Sequence, residues 1–138
     1  MPVIEIIDDQ NWAANMQKYT SARLVLFTFG SEWCTSCKVF KAHTLEPLSR
    51  KGNIVFTYTT VDVENEESQA LQYMRSHKIA DQFPSFVLYS GGQYKGQNFG
   101  AAPRDVLLKW INSLIKKASI YPSIAKLAEQ YYKVTNAL

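Results

Sequence analysis

Cys34 and Cys37 are the only two cysteines in the chain, and they stand in Trp33-Cys34-Thr35-Ser36-Cys37-Lys38 just after the apolar run Leu24-Val25-Leu26-Phe27-Thr28-Phe29. The run reads as a buried strand, and the residues after Cys37 read as a helix. Two thiols at this spacing on the first turn of a helix can close a small disulfide ring and open it again. The helix N-terminus adds unsatisfied N–H groups and a partial positive charge, which favour a thiolate over a thiol. The chemistry implied is thiol–disulfide exchange. Two other readings stay open on the residues alone: an inert structural disulfide, and half of a metal site. A tetrahedral zinc site needs four ligands, and the remaining candidates, His43 and His77, are not at zinc-finger spacing. A dimer could also pool two Cys pairs around a metal or an iron–sulfur cluster. The expectation adopted is no metal and no bound cofactor.

The elements that must position these thiols follow from the pattern around them. Val3 to Ile7 is a short apolar strand ending at Asp8-Asp9, which can cap a helix carrying Trp12, Met16 and Tyr19. After the cysteines, Val39, Phe40, His43, Thr44 and Leu48 suit a helix with Pro47 near its end. Ile54 to Val63 alternates as a β-branched strand, with Ile54, Phe56, Tyr58 and Thr60 on one side and Val55, Thr57, Thr59 and Val61 on the other. Asn65 is expected to begin a further helix, with Glu66 and Glu67 in its first turn and Arg75, His77 and Lys78 in its last. Ser85–Tyr89, a turn at Ser90-Gly91-Gly92 and a strand near Tyr94 to Phe99 make a hairpin. Ala102-Pro103 then opens a helix to about Lys117, with Leu107, Trp110, Ile111 and Leu114 on its core face. The order β-α-β-α-β-α-β-β-α predicts an α/β fold: a mixed central sheet, parallel early and antiparallel at the late hairpin, with helices on both faces.

Composition excludes several function classes. With 138 residues and 46% hydrophobic content the chain can bury a core, and 3 Trp, 8 Tyr and 7 Phe argue against disorder. The formal net charge is only +3 and the Lys and Arg are scattered, so no clustered basic face for nucleic acid is expected. No stretch reaches the ~20 apolar residues of a membrane helix, so no membrane insertion is expected. Met1-Pro2-Val3-Ile4-Glu5 lacks a basic segment followed by an apolar one. The expected location is cytoplasmic as the sequence stands, or periplasmic or exported if a leader has been removed. A lone Cys pair in a reducing compartment is more often catalytic or metal-binding than a permanent staple.

Phe29-Gly30-Ser31-Glu32-Trp33-Cys34-Thr35-Ser36-Cys37-Lys38 resembles the active-site segment of the thioredoxin family. Phe83-Pro84-Ser85 resembles its cis-proline loop, and Phe99-Gly100-Ala101 the glycine turn before its last helix. The resemblance spans about residues 3–117, and the stretch Cys37 to Leu45 is most like the periplasmic thioredoxin-like reducing domains. It implies a thioredoxin fold and a protein-disulfide reductase, exchanging disulfides with protein substrates and fed by an upstream reductase or dithiol. Cys34 would be the nucleophile and Cys37 the resolving thiol. The Phe83–Pro84 bond would be cis, and Trp33, Phe83, Pro84 and Gly100 would line a substrate groove. The competing class is a non-catalytic redox-sensing or peptide-binding module that uses the same groove.

Two departures modify this expectation. Family members usually carry a buried Asp six residues before the first Cys, where it helps deprotonate the resolving thiol; here that position is Thr28. The periplasmic relatives place a Glu four residues after the second Cys, where this chain has Lys41. Slower resolution of the mixed disulfide is expected, or a base recruited elsewhere, such as Glu32. The second departure is Thr35-Ser36 in place of Gly-Pro. Hydroxyls donating to the Cys34 sulfur would stabilise its thiolate and make the pair more oxidising. Residues 1–118 are expected to form the thioredoxin-like domain and 119–138 a C-terminal helical extension. The stripe Ile124, Leu127, Ala128, Tyr131 and Leu138 is expected to fold back on the domain or to support a dimer.

Overall fold

The computed structural model describes residues 4–79 and 82–117. The chain divides into two compact units, Met1–Arg104 and Asp105–Leu138. The first contains β1 (Glu5–Ile6), α1 (Trp12–Thr20), β2 (Leu24–Gly30), α2 (Thr35–Phe40), a π turn (Lys41–Leu45), α3 (Glu46–Ser49), β3 (Val55–Thr60), α4 (Gln69–Ser76), β4 (Ser85–Ser90) and β5 (Gln93–Phe99). The helix α5 (Arg104–Lys117) starts at the division. In it Leu107 and Ile111, one turn apart, are buried, while Trp110 and Leu114 are half-buried. The expected 119–138 extension, and the fold-back or dimer contact assigned to it, lie outside the described residues.

The strands form one mixed sheet in the order β1-β3-β2-β4-β5. β1, β3 and β2 are parallel, and β4 and β5 run antiparallel as the hairpin signature requires. Gly91 and Gly92 both have positive φ (57° and 82°), the conformation a two-residue hairpin turn needs, and β5 carries one bulged residue opposite Leu88/Tyr89.

Alternation along β2 sends side chains to two different layers. Val25, Phe27 and Phe29 pack with Trp12 of α1, with Ala70, Leu71, Tyr73 and Met74 of α4, and with Val87 and Tyr89 of β4. Leu26 and Thr28 face the opposite way, beside Phe56, Tyr58, Phe86 and Leu88 of the neighbouring strands. There Phe40 of α2 stacks on Phe86 at 5.5 Å between ring centroids. Helices therefore cover both faces of the sheet, and β2 is sealed between them, with Val25, Leu26, Phe27, Thr28 and Phe29 all at 0% exposure.

One local expectation needs correcting. The helix expected from Asn65 starts at Gln69, because Asp62 Oδ1 and Asn65 Oδ1 accept from the backbone N–H groups of Glu64 and Glu67 and hold these residues in turns. The cap is Ser68, whose Oγ accepts from Leu71 N at 3.0 Å. Pro47 lies near the end of the helical run from Thr35 to Ser49, as expected. The π turn at Lys41–Leu45 widens the helix just before it, which accommodates a residue with no N–H to give and a ring that crowds the preceding turn.

α1 and α4 also hold each other's N-termini. Gln69 Oε1 accepts from Ala13 N at 2.9 Å. In return Asp9 accepts from Ser68 Oγ at 2.7 Å and from Ala70 N at 3.0 Å.

Candidate active site

β2 ends at Gly30, and the chain turns through Ser31 and Glu32 into α2, with Cys34 N donating to Ser31 O at 3.2 Å. Cys34 is the N-cap of α2, in extended backbone conformation (φ −87°, ψ 102°), and its sulfur accepts from Cys37 N at 3.1 Å. The sulfur thus occupies the position of a capping side-chain oxygen, where helix N–H groups and the dipole favour negative charge. Cys34 and Cys37 are joined as a disulfide, with 5.2 Å between their Cα atoms. Cys34 is half-buried and Cys37 is fully buried, so the two sulfurs are unequal toward solvent. Ser36 Oγ lies 3.3 Å from the Cys34 sulfur and Thr35 is exposed, so Ser36 is the hydroxyl within reach.

The peptide bond Phe83–Pro84 is cis. The Phe83 carbonyl lies 3.6 Å from the Cys34 sulfur, with Phe83 half-buried and Pro84 buried. Gly100 N donates to Pro84 O at 2.8 Å, and Gly100 has φ 107°, a conformation L side chains rarely adopt. Ala102 N donates to Gly100 O, and Ala102 O accepts from Thr44 Oγ1 at 2.7 Å. The glycine loop is therefore pinned between the cis-proline and the helix that carries Cys37. Trp33, beside Cys34, is 89% exposed, the most open large apolar side chain among the described residues.

Thr28 is at 0% exposure, and its Oγ1 has no hydrogen-bond partner among the described residues. No carboxylate is buried among them either, and Glu32 is exposed. His43 is exposed. His77 caps the far end of α4, with Nδ1 3.0 Å from Tyr73 O.

Sequence reasoning missed Tyr58. It is the cross-strand partner of Thr28, and a Cβ on Gly30 would collide with its hydroxyl. Lys41 Nζ sits 5.1 Å from its ring centroid. Burial raises the Tyr58 phenol above its ordinary range, so it stays protonated near neutral pH. Its signal in the sequence was a glycine at the end of a buried strand, which leaves room for a large neighbour.

The comparisons with known proteins agree with this geometry. The thioredoxin family model matches residues 3–113. Thioredoxin C-2 from Corynebacterium nephridii is 31% identical over 107 residues, spanning 78% of this chain and 92% of that protein. Thioredoxin from Chlamydia trachomatis is 27% identical over 110 residues, spanning 80% of this chain and 97% of that one. Among solved structures, a single-site mutant of thioredoxin from Halobacterium salinarum superposes with a TM-score of 0.62 at 21% identity, over 86% of this chain and 95% of that chain. That likeness shows the fold, which is the thioredoxin fold. With the family model running from β1 into α5 and across the Cys34–Cys37 pair, the chain belongs to the thioredoxin family.

Proposed function

We propose that the protein is a thiol–disulfide oxidoreductase that reduces or exchanges disulfides in protein substrates. The observation that carries this reading is the asymmetry of the pair: Cys34 is partly open at a helix N-terminus and Cys37 is fully buried behind it. In the reduced protein the Cys34 thiolate attacks a substrate disulfide. A Cys34–substrate S–S bond forms, the substrate's own S–S bond breaks, and one substrate thiolate leaves and takes up a proton. Cys37, as thiolate, then attacks the Cys34 sulfur. The Cys34–Cys37 bond forms, the mixed disulfide breaks, and the second substrate thiol leaves. Two electrons have passed from the dithiol to the substrate. An upstream reductase or another dithiol returns them, and the two sulfurs carry the chemistry without a bound cofactor.

The second step owes its speed to position, since Cys37 is held three residues from Cys34 on one helical turn. In this reading Trp33, Phe83, Pro84 and Gly100 hold an extended substrate segment, with the Phe83 backbone as its pairing partner. Residues 1–118 are assigned to the catalytic domain. Insulin reduction driven by dithiothreitol tests the function directly. Catalysis is expected with the parent and background turnover with Cys34→Ser; background turnover with the parent too would leave only a peptide-binding module. The reduction potential of the pair then gives the direction of net electron flow.

A further inference from the structure

Cys37, the buried partner of the pair, belongs to the helix that covers one strip of the sheet. Across β3, β2 and β4 run Tyr58, Thr28 and Phe86, each in register with the next. The helix above touches both ends of this row: Phe40 stacks on Phe86, and the Lys41 ammonium lies over the Tyr58 ring. Cys37 precedes Phe40 by three residues and Lys41 by four, so all three project from one side of the helix. Cys37 and Phe40 are the buried residues of α2. The middle of the row is Thr28, whose buried hydroxyl has no partner among the described residues. That hydroxyl is a donor that the disulfide form of the protein does not use.

We propose that Thr28 and Lys41 stabilise the Cys37 thiolate, so that the resolving step is activated by a hydroxyl donor and a nearby cation and not by a buried carboxylate base. Thr28 Oγ1 donates to the sulfur once the pair opens, and Lys41, held by the Tyr58 ring, supplies positive charge four residues along the same helix face. An opposite charge and a donor both favour the ionised form. The thiol proton passes to solvent water, and the sulfur keeps its electron pair for the attack on Cys34. The charged or titratable groups on the packed elements that face this layer are Cys34 and Lys41 from the helix and Tyr58 from β3; Tyr89 of β4 packs on the opposite face, and Glu32, Lys38, His43 and Glu46 are exposed.

The inference rests on the exchange function, and one experiment separates the two. The reduced parent is mixed with 5,5′-dithiobis(2-nitrobenzoate) in a stopped-flow instrument, and release of the coloured thiolate is followed against pH. Attack by Cys34 releases the first equivalent and forms a mixed disulfide; attack by Cys37 on Cys34 releases the second. Absence of both phases in the parent would sink the exchange function itself. With both phases present, Thr28→Val should slow the second about tenfold below its pH midpoint, leave the first unchanged, and be rescued by Thr28→Ser. Lys41→Met should raise that midpoint by about one pH unit, with tenfold slower resolution below it. A second phase that keeps its rate in Thr28→Val and its midpoint in Lys41→Met would overturn the proposal. So would equal slowing by Thr28→Ser and Thr28→Val, because a loss of packing alone gives that result.

Discussion

The two faces of β2 are both buried but set different groups beside the strand. On one, Phe27 and Phe29 meet Trp12 at 6.0 and 5.5 Å, Trp12 meets Tyr73 at 4.5 Å, and the Tyr73 and Tyr89 hydroxyls bond each other at 2.6 Å. On the other, the same strand presents Thr28 and Gly30 beside Tyr58, with a hydroxyl that has no partner among the described residues and a cation in the layer. The first face is large aromatic area with a mutually bonded Tyr73–Tyr89 hydroxyl pair, and Trp12 Nε1 and, beside Phe29, Thr59 Oγ1 are its buried polar atoms without a partner among the described residues. The second packs Phe40 on Phe86 and sets the Thr28 hydroxyl and the Lys41 ammonium, with the Tyr58 ring beneath it, in the layer covered by the Cys37 helix. On the proposed reading, stability rests more on the first side and reactivity on the second, and substitutions should separate them.

The largest effect is expected from Trp12→Ala. Trp12 is 2% exposed, and removing a buried aromatic of this kind costs about 3–5 kcal/mol. Urea denaturation would measure it, and the exchange rate per folded molecule should not change. Gly30→Ala probes the other face: its Cβ meets the Tyr58 hydroxyl and ring, so a loss of about 1–3 kcal/mol is expected. In a Tyr58→Leu background most of that loss should vanish, and a cycle that shows simple additivity would place the strain elsewhere.

Tyr73→Phe leaves the Tyr89 hydroxyl buried and unpaired, at a cost of about 1–3 kcal/mol. It also changes the alkaline limb of stability. Burial first, and then the bond to Tyr89, raise the Tyr73 phenol above its ordinary 10.0. The neutral form is therefore favoured in the folded state, and its contribution is complete below pH 10 and lost as pH climbs above it. Melting temperature should fall from about pH 10 upward, less steeply in Tyr73→Phe; identical slopes would remove Tyr73 as the cause. The smallest effect should come from Ser36→Ala. Its hydroxyl lies 3.3 Å from the Cys34 sulfur, so the first thiolate-release phase should slow by about threefold to tenfold with stability unchanged.

Much of this was legible in the sequence because the signals were local. An apolar run ending in Gly30, a Cys pair at helical spacing and the Ser90-Gly91-Gly92 turn each act within a few residues, and they gave the mixed sheet with helices on both faces. The start of α4 was misread because Asp62 and Asn65 capture the backbone N–H groups two residues on, before Ser68 can cap the helix. The π turn before Pro47 leaves no trace in apolar spacing. Thr28 stood out as an unusual residue, but its surroundings depend on register: nothing in the order of residues says that Tyr58 lies beside it or that Lys41 reaches that ring.

The exchange of caps between α1 and α4 has a kinetic consequence. The bonds from Ala13 to Gln69 and from Ala70 to Asp9 link residues 56 and 61 positions apart. One first-turn N–H of each helix finds its partner only when the other has docked, while Ser68 caps Leu71 N locally, although helix ends ordinarily fray as independent units. The amide protons of Ala13 and Ala70 should accordingly exchange with deuterium at one shared rate, set by separation of the pair, and Asp9→Ala should accelerate both together.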